Sequence, residues 1–209
     1  MPFRDLQSRR CFPGVVTIVE REIELRLVAR LKDGDAAAFE VLYEAFRPRL
    51  FSFLARLSGR REVAEDLLEE TWLRLVTSAA DLADDSCLGA WLFAVARNLH
   101  TSWRRRQALD DERISDLTPS WPGQAPGETP FEAAARSETE RRLEAALARL
   151  PLRDREVLLL IAAEGFTPSE AAAMLGLTAE VLRKRLQRAR ERLIAEMDAE
   201  ETPSRAKAG

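Results

Sequence analysis

Histidine is almost missing from this 209-residue chain: there is one, His100, and only two cysteines, Cys11 and Cys87, in unrelated contexts. No zinc-spaced ligand set can be assembled from them. With one histidine and no converging carboxylate, cysteine or metal cluster, an enzyme ranks last among the possible functions. No cofactor, metal or small-molecule substrate is expected. Long apolar runs are missing too. Residues 11–19 are apolar but are broken by Pro13 and Gly14, so they build neither a secretory cleavage site nor a membrane span. A cytoplasmic chain without membrane insertion is the expectation. Strand-like alternation is absent at any useful length, and glycine and proline are scarce outside a few places. Ala, Leu, Arg and Glu dominate, which makes the expected class all-α.

What is present is charge, unevenly distributed. The formal net charge of -3 hides strong segregation along the chain, and local charge decides what a surface attracts. Residues 97–106 carry Arg97, Arg104, Arg105 and Arg106 with no acid, whereas 107–140 carry eight acids against two arginines. Pro119, Pro122, Gly123, Pro126 and Gly127 fall in that acidic stretch, where no regular helix can hold. Hydrophobic residues, at 46%, suffice for packed cores on either side. The expected architecture is two small helical bundles joined by a flexible acidic linker. Its parts are an N-terminal arm over 1–17, a first bundle over 18–106, a linker over 107–130, a second bundle over 131–198 and a tail over 199–209.

In the second bundle, Thr167, Pro168, Ser169 and Glu170 form a helix start: the threonine caps, proline sits first and the glutamate bonds back. Gly176 ends that helix and Thr178 caps the next. Leu182, Leu186, Ala189, Leu193 and Met197 then recur at spacings of three and four, leaving Arg183, Lys184, Arg188 and Arg192 off the apolar stripe. This is a helix-turn-helix with a cationic second helix, suited to the major groove of duplex DNA.

The first bundle opens with Ile23, Leu27 and Leu31 before a break at Asp33, Gly34 and Asp35. A long helix follows, rich in aromatic residues, which Pro48 should bend or split. A third helix, from about Arg61 to Ala79, sets Val63, Leu67, Leu68, Leu75 and Val76 against Glu62, Glu65, Asp66, Glu69 and Glu70. After a polar loop at 81–86, a fourth helix over about 88–106 packs Trp91, Leu92, Val95 and Leu99. On its apolar face Trp91 reads as core before it reads as a stacking platform.

Three passages together resemble bacterial sigma factors of the extracytoplasmic-function (ECF) group, in the sigma-seventy superfamily. One is Gly34-Asp35-Ala36-Ala37-Ala38-Phe39 with Leu42-Tyr43, followed by Ala64-Glu65-Asp66-Leu67-Leu68-Glu69-Glu70-Thr71-Trp72, similar to the polymerase-binding helix of region two. Ala90-Trp91-Leu92-Phe93-Ala94-Val95-Ala96-Arg97-Asn98 leading to Arg104-Arg105-Arg106 is similar to the promoter-melting helix. Leu150-Pro151, Arg155-Glu156-Val157, Glu164-Gly165 and the helix-turn-helix resemble region four.

The resemblance implies a subunit that directs core RNA polymerase to a set of promoters and assists strand opening. It assigns polymerase binding to Asp66, Leu67, Leu68, Glu69, Glu70 and Leu73. Minus-ten recognition falls to Leu82, Asp84, Asp85, Ser86, Arg97, Asn98, Arg104, Arg105 and Arg106, and minus-thirty-five recognition to Thr178, Arg183, Lys184, Gln187 and Arg188. The implied partners are core polymerase, promoter DNA and an anti-sigma factor. Leu82 stands where relatives often place an aromatic residue, and Val181-Leu182-Arg183-Lys184 replaces a more usual Thr-Val-basic-Ser. The competing readings are a stand-alone helix-turn-helix regulator and a sigma-like interaction protein.

Overall fold

The computed structural model describes residues 21–110 and 137–205, with side chains described for 21–108 and 137–199. The expected arm over 1–17, most of the expected linker and the end of the expected tail lie outside the described residues. Four helices form the first bundle: α1 (Arg21–Lys32), α2 (Ala36–Ser58), α3 (Arg61–Ser78) and α4 (Leu88–Asp110), with a 3-10 turn at Ala79–Asp81. Four more form the second: α5 (Glu138–Arg149), α6 (Leu152–Leu158), α7 (Pro168–Leu175) and α8 (Ala179–Arg205). No strand occurs among the described residues. Helix α4 continues through residues 107–110, where the linker was expected to begin. Helix α8 runs on into the expected tail.

Local chemistry accounts for the helix ends. The Asp35 carboxylate accepts from the Ala37 and Ala38 amides at 2.9 and 3.4 Å and caps α2, satisfying donors that have no partner inside the helix. Helix α2 does not split at Pro48. A proline inside a helix costs about 3 kcal/mol, yet Leu42, Phe46, Leu50, Phe53 and Leu54 on the same helix are all buried. Burying one such side chain stabilises by about 1.5–3 kcal/mol, so packing outweighs the broken helical bond. In the second bundle Ser137 and Glu140 close a capping box over the start of α5. After α6 the chain widens into a π turn at Leu159–Ala163, which carries no signature in residue type.

The first core is built on α2, α3 and α4, with a ring cluster of Phe39, Tyr43 and Trp72 at one end. Phe53 meets Phe93 edge to face at 5.2 Å, and Phe93 meets Phe166 in the same manner at 5.3 Å. Phe166 follows the π turn of the second bundle, so the apolar interior continues from one bundle into the other. One sequence expectation about the core changes. Val76 is not on the buried stripe of α3 but 58% exposed, because it lies about 100° around the helix from Leu75. Cys87 is disulfide-bonded.

Candidate nucleic-acid and polymerase interfaces

The helix-turn-helix forms as its residues dictate. Glu170 donates its amide to the Thr167 hydroxyl at 3.3 Å and accepts the Thr167 amide at 2.8 Å. Gly176 closes α7 in the left-handed conformation at φ 65°, a backbone state that costs other residues but not glycine. Thr178 then accepts the Val181 amide at 3.3 Å and opens α8. Leu182, Leu186 and Ala189 of α8 are buried, which turns Arg183, Lys184, Gln187 and Arg188 together onto the exposed side. Lys184 pairs with Glu180 at 2.7 Å and Gln187 donates to Glu191 at 3.0 Å, both within the helix and in open solvent. Such exposed pairs are worth at most about 1 kcal/mol, so they yield readily to a phosphate. Among the described residues Arg183 donates only to the Ala179 carbonyl, and its guanidinium meets no acid.

On α3 the expected polymerase-binding residues divide. Asp66 and Glu69 are exposed, Glu70 pairs with Arg74 at 2.9 Å, and Leu73 is 60% exposed. Leu67 and Leu68 are not on that face: they are 5% and 7% exposed and belong to the core. The helical period explains it, since Val63, Ala64, Leu67, Leu68 and Thr71 share the inner stripe. Val76, expected from sequence on the core stripe, instead joins Leu73 one turn on as a second exposed apolar residue beside the acids.

The minus-ten set divides further. Leu82 is 2% exposed and Ser86 is 1% exposed, so neither side chain lines an open pocket. The 3-10 turn before Leu82 folds it inward, and the exposed members of 81–86 are Asp81, Asp84 and Asp85. Three residues that sequence reasoning missed hold this loop from α1. Arg21 donates to the Ser86 and Asp85 carbonyl oxygens at 2.8 and 2.6 Å. Lys32 pairs with Asp84 at 2.5 Å, and that hydrogen bond holds the Asp84 carboxyl below its usual range. Buried Glu24 accepts the Gly89 amide at the start of α4. The alternating charges of α1 are the one sequence trace of this role, and they look like any solvated helix face.

Along α4, Arg97 donates to Glu156 of α6 at 3.2 Å and also reaches the Asn98 side-chain oxygen at 3.3 Å. Its guanidinium therefore faces the second bundle rather than open solvent. Arg104, Arg105 and Arg106 are exposed. Arg105 and Arg106 share a 660 Å³ groove with Asp66 and Glu70 of α3, floored by Leu67, Leu99 and Trp103. Arg104 lines a different cavity, of 440 Å³, with Arg153, Arg185, Arg188 and Arg192 of the second bundle. The Asp154 carboxylate there is taken by Arg192. No group of three or more His, Cys, Asp or Glu side chains able to hold a metal occurs among the described residues. No described helix is long and apolar enough to cross a membrane.

Comparison with known proteins agrees with this geometry. The family model for Sigma-70 region 2 matches residues 42–109 and that for Sigma-70, region 4 matches residues 140–193. The chain is 38% identical over 152 residues to the ECF RNA polymerase sigma factor EcfG of Rhodopseudomonas palustris, covering 71% of this chain and 78% of that one. It is similar in fold to CnrH, solved in complex with the cytosolic domain of CnrY, with a TM-score of 0.62, 26% identity and coverage of 84% and 97% of the two chains. It is also similar to the sigma factor RpoE solved with the anti-sigma factor NepR from Bartonella quintana, with a TM-score of 0.61, 27% identity and coverage of 77% and 96%. A first bundle matching region 2, a second matching region 4 with its cationic helix-turn-helix, and this level of identity over most of both sequences lead to one conclusion: the chain belongs to the ECF RNA polymerase sigma factors.

Proposed function

We propose that this chain recruits core RNA polymerase through the exposed face of α3 and reads a two-part promoter with α4 and α8. The observation that carries the reading is the outward face of α8, where four polar or cationic side chains project behind a fully capped helix-turn-helix. Arginine and lysine there supply affinity through phosphates, and a bidentate contact to a base edge discriminates by about 1–3 kcal/mol. Asp66, Glu69, Glu70, Leu73 and Val76 form the polymerase-facing patch, in which apolar contact supplies affinity and the acids orient encounter. Asp84 and Asp85 in the loop held by α1, with Asn98 and the α4 arginines, would hold the displaced strand at the upstream edge of the bubble. Capturing an unstacked base there shifts opening without any bond chemistry by this chain. An anti-sigma partner, as NepR is for the solved RpoE, belongs to the same reading.

The test is reconstitution. Purified chain added to core polymerase should yield transcripts that start at discrete sites on genomic fragments and that vanish when the chain is omitted. Binding of duplex DNA alone, with no polymerase-dependent transcript, would support a stand-alone regulator instead.

A further inference from the structure

Arg104 of α4, Arg153 of α6 and Arg185, Arg188 and Arg192 of α8 converge on the 440 Å³ cavity, whose lining includes one carboxylate, Asp154. Four of these five arginines belong to the second bundle. Asp154 is 6% exposed, and its charge is taken by Arg192. Arg104, Arg153 and Arg185 meet no acid among the described residues. Guanidinium groups keep their charge at neutral pH, so crowding them round one cavity without matching acids leaves it strongly positive. Two enclosed groups nearby register that field: burial first, and then the charge of Arg104, lower the pKa of both His100 and Arg155.

The promoter reading leaves most of these side chains unused, since Arg153, Arg185 and Arg192 belong to neither promoter set. At about 100° per residue, Arg185 lies about 160° around α8 from Arg183 and within about 20° of Arg192. A helix that presents Arg183 to a groove therefore turns Arg185 and Arg192 away from it, toward α6. Arg188 stands about 60° from Arg185 and is shared by both faces. The volume also sets the kind of ligand. Small-molecule sites run from about 300 to 1,000 Å³, so this cavity admits an anion larger than one phosphate and is too small for a DNA duplex. Guanidinium forks match phosphate oxygens two at a time, and Pro151 and Leu152 give the cavity an apolar wall.

We propose that this cavity binds a small ligand with two or more linked phosphates, the chemistry shared by inorganic pyrophosphate and the nucleoside diphosphates. Arg153 and Arg185 grip the phosphate oxygens, Arg104 adds a charge from α4, and Asp154 keeps Arg192 in place. Because Arg188 lies both in the cavity and in the minus-thirty-five set, an occupied cavity draws it away from DNA, and ligand and duplex compete. That competition rests on the sigma-factor reading above, whereas the binding does not.

The experiment titrates the full chain by calorimetry with pyrophosphate, with ADP and GDP, and with inorganic phosphate. Pyrophosphate should bind one to one and roughly tenfold or more tighter than phosphate, the gain from one further charge-assisted contact. A nucleoside diphosphate that binds tighter than pyrophosphate identifies a nucleotide seated on Pro151 and Leu152, and equal affinities identify the linked phosphates themselves; both support the site. Arg153→Gln with Arg185→Gln should weaken pyrophosphate by roughly tenfold or more. Arg185→Lys, which keeps the charge and loses the fork, should retain part of the affinity. Arg190 is exposed on the same helix but about 140° from Arg185, and Arg190→Gln should change nothing. Urea unfolding of each variant without ligand checks that it folds. Equal losses in Arg190→Gln and Arg185→Lys overturn the site in favour of diffuse surface charge, and so does pyrophosphate that binds no tighter than phosphate. Saturating pyrophosphate should also weaken a mixed-sequence DNA duplex by roughly fivefold or more, and an unmoved duplex affinity overturns the competition. If pyrophosphate binds as stated and no duplex binds with or without it, the promoter reading fails while the site stands.

Discussion

Glu24 accepts the backbone amide of Gly89 at 3.2 Å, joining α1 to the first turn of α4 across 65 residues of sequence. Its other carboxylate oxygen holds Arg21 at 2.9 Å, and Arg21 in turn ties down the carbonyl groups of Asp85 and Ser86. One buried carboxylate therefore fixes both the loop proposed to receive promoter DNA and the start of the helix that follows. Glu24→Ala leaves a buried amide without an acceptor and an arginine without its anchor, and should destabilise by about 2–3 kcal/mol in urea unfolding. Glu24→Gln retains an acceptor oxygen and should lose less than half of that. Amide exchange at Ser86 should quicken in both variants, more in the alanine variant. Equal losses in the two variants would show that the hydrogen bond to Gly89 contributes nothing.

The apolar residues of α3 separate into two populations that a binding assay and an unfolding assay should tell apart. Leu73 and Val76 are 60% and 58% exposed, so replacing both with serine should leave stability within about 0.5 kcal/mol of the wild type. Affinity for core polymerase should fall at least tenfold, as expected of apolar residues at the centre of a docking patch. Leu67→Ala should do the reverse, costing about 2–5 kcal/mol of stability through the cavity it opens. A Leu73 and Val76 variant that binds polymerase like the wild type would show that the patch is merely solvated.

Features whose chemistry is local were legible in the sequence, and those that depend on distant partners were not. The α7–α8 turn could be read because Thr167, Glu170, Gly176 and Thr178 each act within four residues of the backbone groups they satisfy. The four cations and amides of the α8 face followed from the apolar stripe behind them. Arg97 is different: its partner Glu156 lies 59 residues away, and a glutamate in a helical pattern looks like part of a solvated face. Glu24 is hidden for the same reason. Leu82 was assigned to the DNA-facing loop by resemblance, while the 3-10 turn before it, after which it is buried, has no residue signature. Leu67 and Leu68 were assigned to the docking face by resemblance, although the period of α3 already placed them on the core stripe. Pro48 shows the converse case, in which a strong local signal yields to tertiary packing.

His100 is fully buried, neither ring nitrogen has a hydrogen-bond partner, and its ring lies 5.8 Å from that of Trp103. Burial first, and then the charges of Arg104, Arg155 and Arg97, push its pKa down from the ordinary 6.5 to about 3. The folded chain therefore keeps the ring neutral, while the unfolded chain takes up a proton below about pH 6.5. The stabilisation is complete above that pH and is lost progressively as the pH falls toward 3. Between pH 7 and pH 5 the loss should reach about 2 kcal/mol, at 1.36 kcal/mol per pH unit below 6.5. Glu164 works in the opposite sense, since burial raises its pKa against the pull of Arg49. The comparison is therefore best made as a difference: wild type minus His100→Leu, in urea unfolding at each pH. That difference should show the stated slope below pH 6.5 and none above pH 7. A flat difference across the range would mean that the ring titrates in the folded chain as it does in the unfolded one, and a slope of the opposite sign that the folded chain holds it protonated.

Arg183 and Lys184 are neighbours on α8 with different starting conditions. Lys184 must leave Glu180 before it can meet a phosphate, whereas the Arg183 guanidinium has no acid to leave. Arginine also presents a planar fork that matches the two acceptors of a guanine edge, which a lysine ammonium meets only as a point charge. Arg183→Ala should therefore cost about 1–3 kcal/mol at one base position and relax selection there. Lys184→Ala should weaken all sequences alike and lower the slope of log affinity against log salt by about 0.9, the loss of a single phosphate contact. Titrating each variant against a library of upstream-element duplexes at several salt concentrations reads both effects at once. Should Arg183→Ala weaken every duplex equally, with no change in preference, the guanidinium contacts the backbone only, and the bases must be read by Gln187, Arg188 or DNA shape.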